Sequence, residues 1–275
     1  MYFVSDFKKI CKSRIVIALY FGMMTVCLLS PFFAYIQERQ YPGFFENVGR
    51  NPFQFWLLMD STNCGFFVYH SLYWIFPVLV TGFVPLNELV SSMREFLVIR
   101  KGKGAYYCSK IASTAVFSFI FFFSLLFLNL LVTYIIYPLD APIIQEYIIP
   151  RETTFAYKLY IIDPLLMAFF YTVVNAVSIV IFALFVLGIW MAFRFRNKYL
   201  AIAMPVILMY GVSYIFDCIP ALLQYNMHII LQPLANNGII TPITAWSYLT
   251  TFFMWLCVDV LLLVIGWFRN RDILR

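Results

Sequence analysis

Few residues in this chain have the type and spacing to do chemistry. Its only histidines are His70 and His228, too few for a His-rich metal site, and no H-E-x-x-H places two imidazoles on one helix face beside a general base. No G-x-S-x-G presents a nucleophile, no adjacent glutamate pair marks an intramembrane protease, and no G-x-x-x-x-G-K-[ST] can cradle a nucleotide. Asp217 and Asp259 are the only charged residues inside long apolar runs. Asp217 sits near the end of its run, beside Cys218 and Pro220, and can reach water. Asp259 lies about halfway along the last run.

These residues are positioned by elements of a distinctive composition. Of 275 residues, 63% are hydrophobic, 20% aromatic and only 12% charged, where a soluble domain carries about 25% charged residues. The mean hydropathy is +0.86. A soluble enzyme, a disordered chain and a secreted disulfide scaffold are all excluded. Six stretches are long and apolar enough to cross ~30 Å of hydrocarbon at ~1.5 Å per residue, namely 15–35, 66–86, 111–137, 165–193, 200–221 and 248–268. The expected fold class is all-α, a polytopic membrane protein of six transmembrane helices in a single transmembrane domain over 1–275. Lipid offers no partner to a free backbone N–H or C=O, so each crossing must satisfy its own backbone.

Against that frame the polar residues acquire stakes. A charge at mid-bilayer costs at least ~2.5–3.5 kcal/mol on insertion scales, so Asp259 needs a partner, a watery cavity or a proton. Asn175 and Ser178 on the fourth stretch, or Asn129 on the third, could supply hydrogen bonds. Asp259 is then either a lock between helices or a coupling carboxylate. His70 is either a hydrogen-bonded packing residue or a titrating switch. The Phe- and Tyr-rich runs read as packing and lipid-facing surface.

Orientation follows from the cations. Of 19 Lys and Arg, 15 fall on the side of the N-terminus when the connections alternate, against Arg39, Arg50, Arg151 and Lys158 on the other. Such a bias in short loops places both termini in the cytoplasm, and seven of the acidic loop residues lie outside against four inside. The net charge of +6 is thus an inward-facing membrane signature, with nothing to indicate nucleic acid. The first apolar run is too long for a signal-peptide core and lacks a small-x-small site, so it stays as a span. Cys64 and Cys218 both lie near the outer face, as a bridge or as two independent small residues.

The connections carry more information than the spans. Phe3, Phe7, Ile10 and Cys11 share helical spacing, with Asp6, Lys8, Lys9 and Lys12 on other faces, so residues 1–14 read as an interfacial amphipathic helix or a frayed basic tail. In the longest cytoplasmic connection, 87–110, Leu89, Met93, Phe96 and Leu97 repeat at i, i+4, i+7 and i+8, with Glu88, Arg94 and Glu95 elsewhere on the turn. Gly102 and Gly104 follow and break the helix ahead of Tyr106, Tyr107 and a snorkelling Lys110. One apolar stripe without a soluble domain to bury it calls for the membrane surface or a partner protein. The outer connection 222–247 holds two apolar pieces of about eight residues, too short to cross. It reads as a re-entrant hairpin or an ordered cap.

Taken together, this layout resembles the membrane-spanning permease subunit of a bacterial type-2 ATP-binding-cassette exporter, the type V exporter fold, over nearly the whole chain. The resemblance begins with Asp6-Phe7-Lys8-Lys9-Ile10 entering the first span, similar to the family's elbow helix. It continues with the helix over 88–100 and Gly102, Gly104, Tyr106, Tyr107, Ser109 and Lys110, similar to a coupling helix and third-span entry. Asn197-Lys198-Tyr199 before the fifth span, the outer re-entrant pair, and Arg269-Asn270-Arg271-Asp272-Ile273-Leu274 at the end also fit. Ser91 and Ser92 stand where the family usually has a Gly shortly after the coupling-helix Glu.

The resemblance implies two six-helix subunits, as homodimer or heterodimer. Each would dock a separate nucleotide-binding subunit that carries ATP and magnesium, with no cofactor and no catalysis on this chain. It assigns motor contact to Glu88, Arg94, Glu95, Phe96 and Arg100. The apolar, aromatic spans point to an amphipathic or hydrophobic cargo such as a peptide, toxin or drug. Two other readings stay open: a secondary transporter coupled through Asp259, and a membrane anchor for a cytoplasmic partner.

Overall fold

A computed structural model describes residues 2–40, 56–59, 64–90, 93–137, 150, 152–193, 195, 197–233 and 243–269. The described residues form helices and turns, with no strand among them. In chain order the helices are α1 (Tyr2–Cys11), α2 (Arg14–Gln40), α3 (Cys64–Leu72), α4 (Phe76–Val90), α5 (Met93–Lys101), α6 (Lys103–Ile136), α7 (Tyr157–Ile162), α8 (Pro164–Ala192) and α9 (Lys198–Cys218). A 3₁₀ turn (Pro220–Tyr225), the single turn α10 (Met227–Ile230) and α11 (Ala245–Arg269) complete the sequence. Among the described residues five helices, α2, α6, α8, α9 and α11, are long and apolar enough to cross a membrane. The chain is a multi-pass membrane protein.

Helix α8 is the axis of the bundle. Its apolar window is 72% buried, against 22% for α9 and α11 and 28% for α2, as expected of a helix apolar on every side. It starts where Asp163 caps it, accepting from Leu165 N–H at 2.8 Å with Pro164 at the first helical position. Its far half packs so closely on α11 that only glycine fits. A Cβ on Gly266 would lie 2.8 Å from Met191 Cβ, and one on Gly188 would lie 2.9 Å from Leu262 Cβ. Small residues at a crossing let two backbones approach in lipid, where dispersion rather than water exclusion drives helix pairing.

The stretch 66–86 is two helices rather than one. Pro77, at the second position of α4, has no N–H to offer the Tyr73 carbonyl, and its ring crowds that carbonyl. The chain turns at residues 73–75, closed by Ile75 N–H to the Leu72 carbonyl at 2.9 Å, before α4 begins. The connection over 87–110 also differs from expectation. Helix α4 runs through Glu88 to Val90, and α5 starts separately at Met93. Gly102 breaks the chain with φ +77° and ψ 143°, but Gly104 already lies within α6. Of the connection over 222–247, read as a re-entrant hairpin or a cap, Met227–Ile230 is one buried turn, and 234–242 lies outside the described residues. All six cysteines are free.

Candidate functional site: a buried ion network and an exposed helix face

The amphipathic α1 packs across the start of α6, and its buried face is not purely apolar. Ile10 and Asp6 are buried together, while Cys11 is exposed. Asp6 is 1% exposed, Lys110 2% and Glu88 6%. Lys110 Nζ lies 3.3 Å from Asp6 Oδ1 and 2.6 Å from Glu88 Oε2. Ser109 Oγ donates to Asp6 Oδ2 at 2.6 Å, and half-exposed Lys9 reaches Glu88 Oε1 at 3.0 Å. Lys110 also stands 5.7 Å from the centre of the Tyr106 ring. Among the described residues two carboxylates meet two ammoniums, the pairing that burial of charge requires. One short span of α6 therefore ties α1, α4 and α6 into a unit.

This corrects the expectation for three residues. Lys110 does not snorkel: its ammonium is enclosed, because two carboxylates within 4 Å compensate the hydration it gives up. Glu88 points into the same network rather than outward. Asp6, expected on a polar face of α1, is its most consequential buried residue. The available signal was a lone acid in a basic segment, together with Ser109 and Lys110 opening a span.

Helix α5 lies beside this network. Val98 is buried with Tyr106, Tyr107, Leu187 and Met191, and Leu97 packs against them. Phe96 is 73% exposed and Ile99 67% exposed, and Arg100 is exposed beside them. The apolar stripe expected through Phe96 is thus rotated. Val98 and Leu97 anchor the helix, and Phe96 stands out with Ile99 as an apolar pair unpartnered among the described residues. The side chains of Arg94 and Glu95 lie outside the described residues. Helix ends gather around the site. Arg269 donates to the Ala192 carbonyl at 3.0 Å, Tyr107 OH to Gly266 at 3.2 Å, and Lys103 to Trp267. These donors, two of them cations, satisfy orphan carbonyls of α8 and α11. Lys198 reaches Asn87 at 3.1 Å, and Asn197 caps α9 through Tyr199 N–H at 2.8 Å.

The intramembrane polar residues do not meet Asp259. Asn129 donates to the Cys27 carbonyl at 2.7 Å and accepts from Leu57 N–H at 3.2 Å. Asn175 donates to the carbonyls of Tyr171 and Leu231 at 2.9 and 3.0 Å, and accepts from Tyr69 OH at 3.4 Å. Ser178 donates to the Asn175 carbonyl at 2.6 Å and pairs with Tyr73 OH. Each is occupied in fastening α2, α3, the turn at 73–75 or Leu231 to the core. Asp259 is 2% exposed, and neither of its oxygens has a hydrogen-bond partner among the described residues. The expected lock through Asn129, Asn175 or Ser178 is absent there.

At the opposite end of the bundle the two histidines converge. His70 closes α3, and its Nδ1 lies 3.3 Å from Nε2 of His228 in α10. The Gln232 amide lies 3.1 Å from both nitrogens. Asn226 holds α10 in place, accepting from His228 N–H at 3.1 Å and donating to Asp217 Oδ1 at 2.8 Å. Burial lowers the pKa of His228 below the usual imidazole value, partly opposed by the charge of Asp217. No spacing in the sequence signals this pairing, because it depends on how α10 packs against α3. No protein-family model, no curated protein and no solved structure matches the chain.

Proposed function

We propose that the chain is the permease subunit of an ATP-driven exporter of the type V kind. In this reading it pairs with a second permease subunit and is driven by separate nucleotide-binding subunits that hold ATP and magnesium. The observation that carries the reading is the joint at the basic end. A buried Asp6–Lys110–Glu88 link couples α1, α4 and α6, and α5 beside it presents Phe96, Ile99 and Arg100 to solvent. A partner pressing on α5 or α1 acts on a linked body at the entry to the longest helix, as a switch between two packings requires. An exposed aromatic beside an arginine is also the composition of a protein-docking patch.

Six crossings belong to this reading. The ion network holds α1 and the start of α6 at one end, and α2 leaves that end in an apolar helix long enough to cross. The chain must return through α3 and α4. Nine and fifteen residues at ~1.5 Å each give about 36 Å, enough for the hydrocarbon core. With both termini cytoplasmic, α10 and Gln232 lie on the outer side, where an amphipathic or hydrophobic cargo would leave between paired bundles.

A second reading keeps one specific support. Asp259 is a buried carboxyl without a hydrogen-bond partner among the described residues, the kind of group a proton-coupled carrier uses. Co-purification of the chain with the products of its chromosomal neighbours, followed by an ATPase assay, separates the two. A stoichiometric ATPase that co-elutes, and is lost when Phe96 and Ile99 are both replaced by Ala, is the expected result. A chain that elutes without ATPase, and moves cargo on a proton gradient in an Asp259-dependent way, would replace the exporter reading.

A further inference from the structure

We propose that the groove between α1, α2 and α6 seats one acyl chain of an anionic phospholipid, whose phosphate is held by Lys8 and Lys12. The inference rests on the geometry at the basic end of the bundle and stands without the exporter reading.

The groove has a volume of about 340 Å³, more than twice the ~150 Å³ of an apolar cavity that takes up benzene. Its floor is apolar and buried, with Val16 3% exposed, Phe117 8% and Phe121 3%. Phe7 of α1 closes one end against Phe117, their ring centres 5.8 Å apart. At the other end the Tyr20 ring packs 5.1 Å from that of Phe121, and its hydroxyl lies 3.1 Å from Ser124 Oγ. The open edge runs between Ile17 and Ile120, both exposed. Between Arg14 and Tyr20 helix α2 rises about 9 Å, so the groove leads from the basic end into the apolar part of the span. Apolar walls that face open space lose their dispersion partners, and in a bilayer a hydrocarbon chain restores them.

The rim on the α1 side selects the headgroup. A shallow basin of about 530 Å³, lined by Ser5, Lys8, Lys9 and Lys12, lies on the same helix. The two cavities adjoin: Lys8 follows Phe7 and Lys12 follows Cys11, and both Phe7 and Cys11 line the groove. Lys9 is committed to Glu88 at 3.0 Å. Lys8 and Lys12 are exposed and join no ion pair among the described residues. One helical turn apart, they can present two ammoniums to a single anion. The one carboxylate of α1, Asp6, is buried against Lys110 and does not neutralise them. A free phosphate would satisfy the lysines and leave the groove bare, whereas a zwitterionic lipid would fill the groove but bring its own cation to a basic rim. An anionic phospholipid meets both surfaces at once. So placed, it would brace α1 against α2, as the ion network braces α1 against α4 and α6.

Alkylation of Cys11 tests this on the unaltered chain. Cys11 is exposed and lines the groove, while Cys108 is exposed at the same end outside it and serves as the control. The full chain, purified in detergent and stripped of lipid, receives either phosphatidylglycerol or phosphatidylcholine with the same acyl chains. An uncharged maleimide is then added, and both thiols are followed by mass spectrometry. Phosphatidylglycerol is expected to slow Cys11 at about tenfold lower concentration than phosphatidylcholine does, with Cys108 unaffected by either. In the double variant Lys8→Gln, Lys12→Gln that difference should vanish. Equal protection by the two lipids would make the groove a seat for any hydrocarbon and overturn the site. Protection by neither lipid, slowing of Cys11 and Cys108 alike, or an undiminished preference in the double variant would overturn it as well.

Discussion

Lys110 is the residue on which the basic end depends, because it faces two carboxylates that burial has cut off from water. Lys110→Met keeps the length and apolar stem of the side chain but removes its charge. Asp6 and Glu88 are then left as buried anions without the ammonium that lies between them. Breaking a buried pair by removing one partner costs ~3–5 kcal/mol, so the variant is expected to melt well below the wild type or to lose α1 docking. Limited proteolysis near residue 12 checks this. The triple variant Asp6→Asn, Glu88→Gln, Lys110→Met removes the stranded charges as well and should recover most of the loss. If the single and triple variants melt alike, the network is not what holds these helices. Asp259 gives the opposite expectation. Its oxygens lack hydrogen-bond partners among the described residues, so Asp259→Asn removes a charge that is costly to bury and breaks no bond there. The variant should melt at or above the wild-type temperature, and a large fall would reveal a partner.

Helix contacts fail differently, through shape rather than charge. Gly266→Ala would set a methyl 2.8 Å from Met191 Cβ and 2.9 Å from the Met191 carbonyl carbon. Backbone cannot step aside as a flexible side chain can, so α8 and α11 must separate. Overpacking of this kind costs ~1–3 kcal/mol, and Gly266→Ala should lower the melting temperature more than Gly22→Ala or Gly211→Ala, which meet nothing within 4 Å. Gly102 is sensitive for another reason. Its surroundings are open, but φ +77° with ψ 143° is a region that essentially only glycine occupies. Gly102→Ala should therefore reorient α5 at a cost of ~1–3 kcal/mol, read as weakened partner capture with little change in α8–α11 packing. At this scale the sequence was readable where one residue type carries the cause. The long helices, the amphipathic α1 and the break at Gly102 follow from hydrophobic runs and glycine. The turn at residues 73–75 was equally legible in Pro77, but apolar side chains on either side concealed it. The rotation of α5 was not legible, since Val98 and Phe96 are equally apolar and only the position of Tyr106, Tyr107 and Met191 decides which is buried. The meeting of His70 with His228 likewise depends on the packing of α10 against α3, which no local pattern encodes.

For the molecule as a whole, the decisive quantity is the number of crossings, and the native cysteines report on it. Cys11 and Cys108 are exposed at the basic end, beside the Asp6–Lys110 pair, whereas Cys64 and Cys218 are exposed at the start of α3 and the end of α9. If α3 and α4 together return the chain across the bilayer, the charge asymmetry puts Cys11 and Cys108 inside and Cys64 and Cys218 outside. Single-cysteine variants, probed with a membrane-impermeant thiol reagent on intact cells, should then label at Cys64 and Cys218. Cys11 and Cys108 should label only after permeabilisation. Cys257, exposed in the middle of α11, faces lipid and should label in neither case. A chain with five crossings makes a different pattern: α3 and α4 would dip and return, and Cys108 would label from outside while Cys11 did not. That pattern conflicts with the 3.3 Å contact between Lys110 and Asp6, because a buried ion pair cannot join residues on opposite faces of a ~30 Å hydrocarbon layer. Labelling of Cys108 from outside would therefore remove both the six-crossing bundle and the ion network beneath α5, and with them the joint on which an external motor would act.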